Sequence, residues 1–186
     1  MKKILVISSS IRTGKKSDRV ALYFMDYIKD HKLGEAELLD LETLNFPLFY
    51  ERLHLLKEPS AALVAFAKKI KESDGIVLVT PEYNGGYPAS LKNVIDVLYA
   101  EWKRKPMAIC TVSDGPFAGM SCITSLQFVL WKIGALVVPA MFPVATVPTT
   151  FNEGGKPADK VATDKRAAAF LAELTWHMDA AEKMKS

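Results

Sequence analysis

The chain has 186 residues, 49% hydrophobic content and a formal net charge of +3, enough for one sizeable core and too balanced for a nucleic-acid stripe or a basic membrane helix. No apolar run approaches eighteen residues, and the opening MKKILVISSS is too short in its apolar part for a signal peptide, so it predicts a first strand and a chain with no membrane segment. Two cysteines, Cys110 and Cys122, carry no metal spacing. They read as buried thiols in a reducing cytoplasm.

Ile4 to Ile7 forms the first apolar run and leads into a polar loop, Ser8 to Ser17. Val20, Ala21, Phe24 and Ile28 then recur at helical spacing, with Ser17 or Asp18 as the expected N-cap. Leu33-Gly34 closes that helix, and Ala36 to Leu41 is the second strand. Asn45 to Pro59 has two prolines and no clean period, which predicts a long loop with a short helical turn. Ser60 caps the next helix, striped by Leu63, Phe66, Ala67 and Ile70 and ending near Ser73.

Ile76, Val77, Leu78 and Val79 show no polar alternation, as a strand buried on both faces requires. Pro81 ends it, and Asn84-Gly85-Gly86 permits positive φ and close backbone approach to a ligand. Leu91, Val94, Ile95 and Leu98 stripe the helix that follows, expected to start near Pro88 or Ser90 and to reach about Trp102. Met107 to Val112 is the fourth strand and runs into Ser113-Asp114-Gly115-Pro116. The next helix, about Ala118 to Ile133, buries Leu126, Val129, Leu130 and Ile133 but leaves Phe128 and Trp131 off that face. Ala135 to Pro139 starts the fifth strand, which Met141 to Val147 extends, and Phe151 to Asp159 reads as an exposed polar loop. A last helix spans about Lys160 to Met184 on a stripe of Ala167, Leu171, Leu174, Met178 and Ala181. Alternating strands and helices predict a single domain over residues 1–186, an α/β/α sandwich around a doubly wound, five-stranded parallel sheet of flavodoxin-like order 2-1-3-4-5.

That order sets the loops after strands one, three and four side by side. The first offers serine hydroxyls, the Arg12 guanidinium and a helix N-terminus, the parts that hold a phosphate. A P-loop fails twice, at Ser9 and Lys16, and a dinucleotide fingerprint fails because Gly14 is the only glycine in the loop, leaving Asp40 with nothing to cooperate with. A mononucleotide-type phosphate remains. The second loop brings Glu82, Tyr83, Asn84 and Tyr87; the third brings Ser113, Asp114 and Phe117 with glycine N–H groups. A planar ring with a polar edge fits these, and flavin suits the arrangement. The tyrosines have an alternative role at a loop or subunit contact, and Glu82 an alternative one as a carboxylate that fixes the loop through backbone N–H groups.

SSSIRTGKKSDRVA, TPEYNGGYPASLKNVID and SDGPFAG resemble the three signature segments of the NADPH-dependent FMN reductase family of flavodoxin-like quinone, azo-dye and chromate reductases. Leu98-Tyr99, Glu101-Trp102 and Lys105-Pro106 resemble its quinone-reductase branch. The resemblance implies FMN, with phosphate on Ser10, Arg12, Ser17 and neighbouring backbone including Asp18, and the ring on Pro81, Glu82, Tyr83, Asn84, Gly85 and the loop Ser113, Asp114, Gly115 and Phe117. Ser9, Asp18 and the Asp114-Pro116-Phe117 loop depart from its usual glycine, asparagine and glycine-rich loop. It further implies NADPH or NADH as co-substrate, a quinone-like acceptor reduced by a ping-pong mechanism (azo compounds, chromate and free flavin being the others), and a homodimer or homotetramer packed through helices beside the site. A flavodoxin-type electron carrier or a flavin-binding sensor without NAD(P)H turnover is the alternative. The positive balance argues against a carrier, for which an acidic surface is expected.

Overall fold

The computed structural model describes residues 1–184. Five strands, β1 (Lys3–Ser8), β2 (Glu35–Asp40), β3 (Gly75–Pro81), β4 (Pro106–Val112) and β5 (Leu136–Val144), pair in parallel in the order β2-β1-β3-β4-β5. Val6 stands opposite Leu38 on one side and Val77 on the other, and Val77 opposite Ala108. The β4–β5 register shifts between Met107 and Ile109.

Side chains alternate across a strand, so an unbroken apolar run serves two cores at once. Ile4 and Val6 of β1 pack with Val77 and Val79 against α1 (Ser17–Asp30) and α7 (Lys160–Lys183). Leu5 and Ile7 pack with Ile76 and Leu78 against α3 (Ala61–Glu72), α4 (Ala89–Val97) and α5 (Ser121–Lys132). Two four-residue helices follow outer strands, α2 (Leu41–Leu44) directly after β2 and α6 (Val147–Thr150) after a short turn from β5. The sheet's order and its three layers are those the hydrophobic pattern predicts.

Several boundaries differ from the sequence expectation, each for a local reason. Lys16 occupies the N-cap position of α1 and makes no capping bond; Ser17 is already helical with its Oγ buried, and Asp18 Oδ1 accepts from the N–H of Arg19. Leu41 starts α2, capped by Asp40, rather than ending β2. α4 stops at Val97, and a separate 3-10 turn over Ala100–Trp102 buries the Trp102 ring. α5 starts at Ser121 because Ala118 and Gly119 hold φ of 54° and 70°, outside helical space. β5 ends at Val144, and Phe151, expected in an exposed loop, is buried and paired with Pro157. Ser60 caps α3 as expected, accepting from the N–H of Leu63. A single 3-10 turn, Leu53–Leu55, interrupts the loop of residues 45–59.

Candidate active site

The carboxyl ends of β1, β3 and β4 adjoin one another, and their loops border one open cleft. Open α/β sheets bind ligands at this edge. Of the residues singled out from sequence, Arg12, Ser17, Pro81, Glu82, Tyr83, Ser113, Asp114 and Gly115 line the cleft. Ser10, Asp18, Asn84, Gly85 and Phe117 do not; Phe117 is 79% exposed. Gly14, Lys15, Lys16, Val112 and Val147 complete the lining.

The β1–α1 loop supplies the anion-holding end. The N-cap residue of α1, Lys16, makes no side-chain cap; the Arg19 N–H is met by Lys16 O and Asp18 Oδ1, and the N–H groups of Ser17 and Asp18 before it lack intrahelical partners and carry the positive end of the helix dipole. Ser17 Oγ is buried there with no hydrogen-bond partner among the described residues, as are Ser8 Oγ and Ser9 Oγ nearby in sequence. A buried hydroxyl left unmatched costs about 1–3 kcal/mol, and a phosphate oxygen at the helix start would meet both Ser17 and the free N–H groups. Arg12 adds a guanidinium that forms no ion pair among the described residues. Lys15 is tied down differently. Its Nζ lies 2.6 Å from Asp40 and 2.9 Å from Glu42, with its side chain almost covered. Burial alone would lower its pKa, but the bonds and charges of Asp40 and Glu42 outweigh that and raise it, so Lys15 stays charged and fastens the loop to the end of β2.

The β3–α4 loop is a tight reversal. Tyr83 and Gly86 exchange backbone hydrogen bonds of 2.7 and 3.0 Å, and Asn84 and Gly85 between them hold φ of 53° and 78°, the two left-handed positions that favour Asn-Gly. The Tyr83 hydroxyl and Ser10 Oγ share a 2.6 Å hydrogen bond, which joins this loop to the first. Glu82 Oε2 accepts from the N–H of Ser121 at 3.0 Å. The carboxylate therefore caps α5, the loop-fixing role that sequence left open, while still bordering the cleft. Tyr87 packs on the α3–α4–α5 core instead of entering the cleft.

The third loop is braced from below and from the side. Thr111 Oγ1 donates to Ala118 O at 2.7 Å, and Ser113 Oγ to Gly115 O at 2.7 Å. A Cβ on Gly119 would meet Thr111 Cβ at 3.0 Å, so glycine is needed both for its φ of 70° and for this contact. The turn after β5 donates Thr146 N–H to Gly115 O and Val147 N–H to Ser113 O. This turn brings Val147 to the cleft, which no sequence signal marks, because Thr146 reaches it only through a left-handed φ of 45°. Lys16 and Asp114 face each other across the cleft at 3.2 Å. His31 stacks on Tyr27, and neither it nor His54 or His177 lines the cleft.

A helix start with unmatched donors at one end and two loops rich in backbone amides at the other fit a phosphate ester of a planar ring. Residues 2–149 match the family described as NADPH-dependent FMN reductase. An NAD(P)H-dependent FMN reductase of Schizosaccharomyces pombe is 36% identical over 157 residues, covering 78% of this chain and 74% of its own. An NADPH azoreductase of a Bacillus species is 29% identical over 175 residues, covering 91% and 92%. The solved structure of FerB from Paracoccus denitrificans, a flavoenzyme NAD(P)H:(acceptor) oxidoreductase, superposes with a TM-score of 0.77 at 21% identity, covering 96% of this chain and 98% of that one.

Proposed function

Because the chain belongs to the NADPH-dependent FMN reductase family, whose members use NAD(P)H and FMN, we propose that its cleft holds FMN and that NAD(P)H and a quinone-like acceptor occupy it in turn. The observation that carries this reading is the convergence of the uncapped start of α1, the unmatched Ser17 Oγ and the Arg12 guanidinium in one cleft with Pro81–Tyr83 and Ser113–Gly115.

Bound FMN supplies a ring that accepts a hydride from the nicotinamide and delivers two electrons to the acceptor. The chain's own part is to bind and orient. Ser17 Oγ, the first N–H groups of α1 and Arg12 hold the phosphate. Ser10 acts through its bond to Tyr83, keeping the first two loops in register, and the Asn84-Gly85 reversal fixes where that second loop ends. Asp18 faces its own backbone at Arg19 and stays off the phosphate. The backbone N–H groups of Asp114 and Gly115, which border the cleft, would meet the negative charge that reduction places on the ring. Azo compounds, chromate and free flavin are further acceptors in this proposal. The cytoplasm is the proposed site of action. The exposed rings of Phe128 and Trp131 on α5 form the proposed contact of a homodimer or homotetramer.

Mixing the FMN-loaded protein anaerobically with NADPH tests the reading. Rapid bleaching of the yellow colour, reversed by a quinone, is the expected result. Bound FMN that stays yellow means a carrier or sensor instead.

A further inference from the structure

β3 lies between β1 and β4, so the loops after β1 and β4 rise from strands roughly 10 Å apart. Lys16, from the first loop, and Asp114, from the third, nonetheless close to 3.2 Å, and both line the cleft. Their contact therefore bridges the span above the end of β3. A ligand with its phosphate at the start of α1 and its ring against the third loop must run along that span.

We propose that Lys16 and Asp114 form an ionic clasp over the cleft that slows the escape of FMN, so that the chain keeps FMN as a resident group instead of exchanging it at each turnover. The inference rests on the FMN reading above. Three features set this pair apart from the other charged groups of the site. Lys15 is already committed to Asp40 at the end of β2 and Glu42 in α2, on the far side of β1 from the span. Arg12 has no carboxylate partner among the described residues and remains for the phosphate. Glu82, the other carboxylate bordering the cleft, is held by the N–H of Ser121. Among the described residues, only Lys16 and Asp114 join two of the cleft's loops through charge. Both side chains keep access to solvent, at 35% and 64% exposure, so the clasp can open and is sensitive to salt.

The test is the rate of FMN release from the loaded protein after dilution, read by recovery of free-flavin fluorescence, for wild type, Asp114→Asn, Lys16→Gln and the double variant. Each single variant is expected to release FMN about 2- to 5-fold faster at low salt. The double variant is expected to be no faster than the singles, as for residues that act as one unit. In about 1 M salt, where screening extends to roughly 3 Å, the variant and wild-type rates should converge. Additive effects, or an Asp114→Asn variant that keeps FMN as long as wild type, overturn the clasp. If only Lys16→Gln releases FMN faster, Lys16 serves the phosphate alone and the clasp is again overturned. A wild-type protein that takes up no FMN overturns the cofactor reading itself, a different outcome from bound FMN whose release is indifferent to Asp114.

Discussion

Ser17 separates folding from binding, because its hydroxyl is buried without a partner yet stands at the open start of α1. Removing an unmatched buried hydroxyl relieves the apo fold, whereas losing a bond to a dianion weakens the ligand by about ten- to a hundredfold. Ser17→Ala is therefore expected to melt at or above the wild-type temperature without FMN, and to bind FMN at least tenfold more weakly in a fluorescence-quenching titration. Arg12→Ala should lose affinity by a similar factor with no change in apo stability, since the guanidinium makes no ion pair among the described residues. Cys122 makes a third case. Burial and the nearby Glu82 carboxylate push its thiol up to about 11, so the native protein should resist alkylation at pH 7 to 8 and react only on unfolding; labelling of folded protein at neutral pH would contradict this. Arg12, Ser17 and Glu82 were legible in sequence because their chemistry is carried by residue type beside strand ends. The pairings of Lys15 with Asp40 and Lys16 with Asp114 were not, since their partners lie 25 and 98 positions away and only the sheet order brings them together.

At the scale of elements, α1, whose start borders the cleft, is bonded to α7. Tyr23 of α1 donates its hydroxyl to Asp164 Oδ1 of α7 at 2.8 Å, and Lys160 also pairs with Asp164. Burial works to raise the Asp164 pKa, but the bonds from Lys160 and Tyr23 overcome it and hold the carboxyl below its ordinary value. A carboxyl depressed in the folded state stabilises above its unfolded pKa, near 3.8, and that contribution is lost as pH falls through the folded value. Asp164→Asn should thus lower the melting temperature at pH 7 and flatten its fall below about pH 4; an unchanged acid limb would remove Asp164 from this role. Strand and helix existence was legible here because apolar runs and stripes report it directly, as in Ile76–Val79 and the Leu63–Ile70 stripe. The starts of α1 and α5 were not. They are fixed by Lys16 at an uncapped position and by left-handed Ala118 and Gly119, conformations that tertiary bracing selects and composition does not.

On the scale of the whole molecule, the neighbouring Phe128 and Trp131 rings of α5 lie outside both cores, 61% and 66% exposed with centroids 5.8 Å apart. Replacing both with glutamate should shift the elution of the protein to the monomer size while leaving the sheet intact by circular dichroism; unaltered elution would move the subunit contact elsewhere. Three strand ends build the cleft together. Ligand binding to the native state alone stabilises by about 2.7 kcal/mol at a hundred times Kd, which for a chain of 186 residues corresponds to roughly 5–10 °C. A melting curve of the purified protein with and without saturating FMN is the most direct measurement. The predicted result is a rise of that size, absent with riboflavin at the same concentration because the phosphate carries the contacts of Ser17 and Arg12. A colourless protein whose melting temperature FMN does not move would contradict it.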